Sequence, residues 1–162
     1  MGDNIFPCIR VEFDIPCKNP RELVNSWIKN RNSEDWALIS GVSLASEIHA
    51  WSTYDVMIRN HKRNKMKSNT VDGEFMRLLS GTHHISASFS RAGIVVGDKF
   101  AYIVDLSCDA TEEEFASHAT KMGFKILQDR PNLEIFDAKR LGIDKGEDEN
   151  AAIGHVLTSD LR

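Results

Sequence analysis

The chain has only three cysteines in 162 residues, Cys8, Cys17 and Cys108, and none belongs to a CxxC pair. Three thiols cannot all pair with one another. Reduced thiols in a cytoplasmic protein (also nuclear in a eukaryotic source) are therefore expected rather than a disulfide framework. Long apolar runs are missing too, so no bilayer-spanning segment is expected. The N-terminus, MGDNIFPCIRVEFDIP, lacks the basic region and apolar core of a secretory leader. Compact catalytic signatures are likewise absent: there is no GxGxxG after a strand, no GxxxxGK[ST], no HExxH and no GxSxG. Nor is there an excess of positive charge. The formal net charge of -4 excludes coating nucleic acid by bulk attraction, although a local patch can still hold phosphate.

What is present suits one domain, 1–162, long enough to bury its own core. Ile9, Val11, Phe13 and Ile15 alternate with Arg10, Glu12 and Asp14, which predicts a strand with one buried face. Asn19-Pro20 predicts a helix start, with Leu23, Val24, Trp27 and Ile28 as its apolar stripe. Trp36 to Ile39 reads as a second strand. A longer helix is expected from Ser43, burying Leu44, Ile48, Trp51 and Ile58. Asn69 or Thr70 caps the next, with Val71, Phe75, Leu78 and Leu79 as its stripe and Ser80-Gly81 as its stop. A third helix carries Ile85, Phe89 and Ala92 and stops at Gly93. Phe100 to Leu106 is the clearest strand. Thr111 and Glu114 form a capping box for a helix burying Phe115, Ala119 and Met122. Lys125 to Leu127 predicts a further strand, Pro131 to Gly142 a short helix, and the residues after Asn150 a C-terminal helix. Strands interleaved with helices give an α/β fold: a central mixed sheet flanked by helices, with a helical subregion over 43–93.

The richest stretch for function is Lys65 to Ile94. It is approached by a basic run, Arg59 to Lys67, holding five Lys or Arg residues and a histidine within nine positions. No acidic residue occurs between Val56 and Val71. Two readings stay open: a solvated helix end, where cations are favourable in any case, or a phosphate-contacting edge assisted by Arg77 and Arg91. Trp51, Tyr54, Phe75 and Phe89 lie in or near these helices, as in sites where aromatics stack the bases of a single strand. Ile85, Phe89 and Ile94 either pack onto the sheet or face a partner. The candidates for chemistry are weaker. His83-His84 are adjacent on a helix and point about 100° apart, a poor geometry for one metal. Cys108 lies near the start of the Thr111 helix, whose N-terminus can lower a thiol pKa, but most single thiols at strand ends are packing residues. No catalytic group, metal or cofactor is expected.

The residues Asn69-Thr70, Glu74, Phe75-Met76, Leu79-Ser80-Gly81, Ile85 and Ala92-Gly93-Ile94 resemble the core signature of the PRPK-binding-protein family. That family supplies the small partner of the atypical kinase in the KEOPS complex. His84 stands where the family often has Gln. The resemblance implies a non-catalytic subunit that binds and stimulates the KEOPS kinase directly. It also implies help in recruiting tRNA by its 3′ CCA tail for threonylcarbamoyladenosine synthesis, with the transferase and other subunits reached through the complex. Carried over by position, Ile85, Phe89, Ala92 and Ile94 are expected to meet the kinase. Arg63, Lys65, Lys67, Asn69 and Arg77 are expected near the tRNA tail. The alternatives are a small enzyme using Cys108 or the His83/His84 pair, and a general single-stranded RNA-binding module.

Overall fold

A computed structural model describes residues 5–161; residues 1–4, which entered the leader argument, lie outside it. In chain order the elements are β1 (Cys8–Glu12), α1 (Pro20–Asn30), β2 (Trp36–Ser40), α2 (Glu47–Lys62), α3 (Val71–Ser80), α4 (Ile85–Arg91), β3 (Phe100–Asp105), α5 (Glu112–Met122), β4 (Lys125–Leu127) and α6 (Glu149–Leu157), followed by a 3-10 turn, Ser159–Leu161. The strands form one sheet in the order β2-β3-β1-β4. The α/β class stands, but every pairing is antiparallel rather than mixed. The reason lies in the crossovers. α1 joins β1 to β2 and α5 joins β3 to β4, and in each case a strand of opposite sense lies between the two. This is the split β-α-β arrangement of ferredoxin-like folds, with α2, α3 and α4 inserted between β2 and β3.

The sheet is buried on both faces, and strand alternation sorts its side chains into two cores. Val11, Trp36, Leu38, Ala101 and Ile103 face α1 and α5, packing with Trp27 and Phe115. Cys8, Ala37, Ile39, Tyr102 and Val104 face the inserted helices and α6, packing with Phe75, Leu78, Leu79 and Val156. Arg10, expected at the surface, is therefore buried. Its guanidinium lies 4.5 Å from the Phe100 ring centroid, and its Nε donates to Gly41 O at 2.9 Å. Ile15, expected inside, lies beyond the strand and is exposed.

Most helix ends follow their capping residues. Asn19, Thr70 and Thr111 accept from backbone N–H groups at the starts of α1, α3 and α5. The Thr111–Glu114 capping box is complete. Gly81 ends α3 at φ +65°, where a Cβ would stand 2.2 Å from His155 Nε2. That nitrogen lies 2.9 Å from Ser80 O and 2.8 Å from Leu141 O, so glycine is required for closeness as well as for torsion.

Two further expectations fail. α2 starts only after Ser46, and it buries His49, Ala50, Thr53, Val56 and Met57 while Ile48 is exposed. The helix turns a partly polar face inward, with two of its polar atoms bonded locally while His49 Nε2 is left without a hydrogen-bond partner among the described residues. His49 Nδ1 accepts from Ala45 N at 3.0 Å, and Thr53 Oγ1 donates to His49 O at 2.9 Å. Between Pro131 and Gly142 there is no helix but a series of turns. The Asn132 side chain accepts from Glu134 N and Ile135 N, and Asp137 N donates to Val42 O. Such bonds compete with a helical ladder.

Burial, with a smaller contribution from His155, pushes the His49 imidazole down from 6.5 to about 3. The unfolded chain therefore binds a proton that the native state refuses, and the associated stability is complete above about 6.5 and lost as pH falls toward about 3. Urea unfolding at stepped pH should show this acid-side loss. In an NMR titration His49 should stay neutral at pH 5; protonation there would refute the assignment.

Candidate functional site

The basic run caps and then leaves α2. Arg59, His61 and Lys62 occupy its last turn, and Arg63 is its C-cap. Asn64 then takes φ +54°, and Lys65 N bonds back to Asn60 O at 2.8 Å. Arg59, Lys62, Arg63, Lys65 and Lys67 are all exposed, and none forms a salt bridge among the described residues. The helix dipole accounts for Arg59 to Arg63. It does not account for Lys65 and Lys67, which stand on the loop beyond.

That loop is fastened from below by α3. Glu74 accepts from Lys67 N at 3.0 Å, Ser68 N at 3.1 Å and the Asn60 amide at 2.9 Å. It also pairs with Arg77, and both residues are 0% exposed. Burial works to raise the Glu74 carboxyl, but hydrogen bonds from Arg77 and Asn60 and the Arg77 charge together hold it below the ordinary carboxylate value. Arg77 was expected near a tRNA surface. The structure places it inside, its remaining donors turned to Thr82 O and Asp160.

Beside the loop, a groove of about 620 Å³ opens along the β2 edge. One wall is α1, with Arg21, Val24 and Ile28. The other is the start of α3 with Ser68, Thr70 and Met76, joined by Phe89 and Ile94; Leu38 lies between the walls. Arg31 and Asp72 link the walls through a 3.2 Å ion pair. The groove is apolar within and charged at its rim, as sites for flat organic groups usually are.

The expected residues thus divide by depth. Phe89 is 52% exposed and Ile85 half-buried on α4, whereas Ile94 is nearly buried and Ala92 fully so. Arg63, Lys65, Lys67 and Asn69 are all at the surface. Of the aromatics, Phe75 stacks on Phe6 at 5.8 Å, and Trp51 meets the same ring edge-on at 5.0 Å, so both serve the core. Of the four, Phe89 alone is exposed. Sequence reasoning missed the α1 wall entirely: Arg21, Ile28 and Arg31 carry no local sign that they face residues 68–94.

The alternative chemistry finds little support. His83 and His84 are exposed with ring centroids 4.2 Å apart, and no group of three or more potential ligands clusters among the described residues. Cys108 is exposed at φ +61°. Partial burial pushes its thiol up and Asp105 and Asp109 add to this, outweighing a hydrogen bond with Tyr54 that works the other way. Cys8 is buried and pushed up to about 12, mainly by burial. A thiol reagent added to native protein at neutral pH should modify Cys108 alone, and slowly. Rapid labelling of Cys108, faster than a free cysteine, would revive a nucleophilic role.

No curated protein matches the chain. A family model described as kinase binding protein CGI-121 matches residues 14–137, a span containing both groove walls, the basic loop and all of α2 to α5. The match covers well over half of the sequence, and the chain belongs to the CGI-121 family of kinase binding proteins.

Proposed function

We propose that this protein is a non-catalytic subunit of a KEOPS assembly. In this reading it binds and stimulates the atypical kinase directly, and it helps recruit tRNA by the single-stranded 3′ CCA tail for threonylcarbamoyladenosine synthesis. The transferase subunit acts elsewhere in the complex, in the cytoplasm. Membership of a kinase-binding family supports the kinase partner. One observation carries the RNA half: exposed, unpaired cations at Lys65 and Lys67 adjoin an apolar groove bordered by an exposed aromatic ring, Phe89. Single strands are held by cations along the backbone and aromatic surfaces against the bases. The cations give the tail's phosphates a positive track on an otherwise acidic protein. Arg63 adds a further exposed cation and Asn69 an exposed, neutral amide donor. The groove offers a terminal base apolar cover and the Phe89 ring.

The kinase is assigned to the outer face of α4. Ile85 and Phe89 are four residues apart and lie on one side of the helix. Buried Ala92 and Ile94 support that face from behind without meeting the partner. Phe89 then borders both ligands, which would bring the tRNA end and the kinase side by side. A second placement has its own observation: Leu157 and Leu161 are 61% and 83% exposed, beside the turn that Asp160 ties to Arg77.

Binding to a tRNA ending in CCA should weaken steeply with salt and weaken again when the tail is removed. Replacing Lys65 and Lys67 together by alanine should flatten the salt dependence by a slope of roughly 1.4, about 0.7 for each phosphate no longer neutralised. Equal binding of tail-less tRNA would overturn the assigned RNA role.

Ile85→Glu places an unpaired charge in the assigned interface. It should lower co-purification with the kinase at least tenfold, on the order of the penalty for a buried unpaired charge, while leaving tRNA affinity intact. Undiminished kinase association, together with loss in Leu157→Glu, would move the interface to the C-terminal turn.

A further inference from the structure

We infer that Glu74, clamped by Arg77, is a positioning residue for the RNA-facing loop, setting where Lys65 and Lys67 stand relative to the groove. The inference rests on the reading that this loop meets the tRNA tail. Burying both charges carries a desolvation cost that packed apolar side chains would avoid. The partners of the carboxylate show what it holds. Its Oε1 accepts from Lys67 N at 3.0 Å, Ser68 N at 3.1 Å and Arg77 Nε at 3.0 Å. Its Oε2 accepts from Asn60 Nδ2 at 2.9 Å and Arg77 Nη2 at 2.5 Å. The loop and the end of α2 thus supply three of the five donors, and α3 needs none of these for its own ladder.

The loop has no helix or strand bonds of its own between Lys65 and Thr70. Turning the 67 and 68 amides inward onto one oxygen leaves the Lys67 side chain outside, where it is exposed. Asn60 acts at both ends of this arrangement: its carbonyl accepts from Lys65 N and its amide donates to Glu74. Arg77 braces the carboxylate from the other side. Its Nη1 donates to Thr82 O at 3.2 Å, in the connector that leads into α4 and Phe89. One buried ion pair therefore registers the cations and the aromatic rim against each other. Five donors require an acceptor-only carboxylate. A glutamine would present its own N–H groups to one side of the cluster.

The test uses the full-length protein and an RNA hairpin ending in single-stranded CCA. Glu74→Met with Arg77→Met removes the pair together and keeps the site packed, so folding is retained where a single substitution would strand a charge. Asn60→Ala is the milder variant, which leaves the ion pair intact and guards against misfolding of the first. Hydrogen exchange at Lys67 and Ser68 should quicken in both. Affinity for the hairpin should fall about tenfold in the double variant and about threefold in Asn60→Ala. The salt slope should become shallower by about 0.7 for each phosphate that the displaced lysines cease to neutralise. A shallower slope separates displaced cations from mere destabilisation, which lowers the active fraction and leaves the slope unchanged.

Faster exchange with unchanged affinity and slope overturns the positioning role, as does unchanged exchange. If the unmodified protein fails to bind the hairpin at all, the tRNA reading itself is wrong and the inference falls with it.

Discussion

The Glu74–Arg77 pair is the constraint on which the inserted half of the molecule depends. α3 lies in the middle of a helical layer, with α2, α4 and α6 around it and the sheet edge nearby. Every residue from Gly73 to Ser80 is buried. A helix in that position is ordinarily apolar all round. Two full charges there are tolerable only because each is neutralised and hydrogen-bonded by the other and by nearby backbone. The arrangement stabilises less by attraction than by specificity: removing either partner alone would leave a buried charge, at roughly 3–5 kcal/mol. It also joins regions that the chain separates, since Arg77 reaches Asp160 and Glu74 reaches Asn60.

The fold was legible wherever a local rule acts alone. Caps at Asn19, Thr70 and Thr111 and the left-handed stops at Gly81 and Gly123 fix helix limits by backbone chemistry within a few residues. The strands were found because β-branched and aromatic clusters have few other uses. Legibility failed where tertiary packing overrode apolar counting. His49 and Thr53 face the core in α2 with His49 Nδ1 and Thr53 Oγ1 bonded to the adjoining backbone, and no apolar tally detects that. Arg10 hides between the sheet and Gly41 because an aromatic ring and a carbonyl receive it. The sheet's antiparallel sense escaped notice because it depends on which strand enters between which, a long-range fact.

The site was half legible for a related reason. The basic loop, α3 and α4 follow one another within thirty residues, so their importance could be read along the chain. The groove could not. Its far wall, α1, precedes the loop by some forty residues and is brought opposite by the crossover from β1 to β2. Arg77 shows the opposite error. A cation in a basic neighbourhood was grouped with the surface, whereas Glu74 at the i,i+3 position was the sign of an internal pair.

The geometry also changes how the two proposed binding tasks would share the segment. The family resemblance divided it linearly, with the basic first part for RNA and the apolar second part for the kinase. In three dimensions Phe89 and Ile94 line the same groove as Ser68 and Thr70. If both partners meet this side of the molecule, they are neighbours, and the occupancy of one changes the surface offered to the other. Whether that neighbourhood becomes coupling depends on a differential contact, since a ligand shifts an equilibrium only by its unequal affinity for the two states. Phe89 is the side chain positioned to supply one. Its ring is half exposed at the groove's border, so a ligand that moved the ring would change the surface offered to the other.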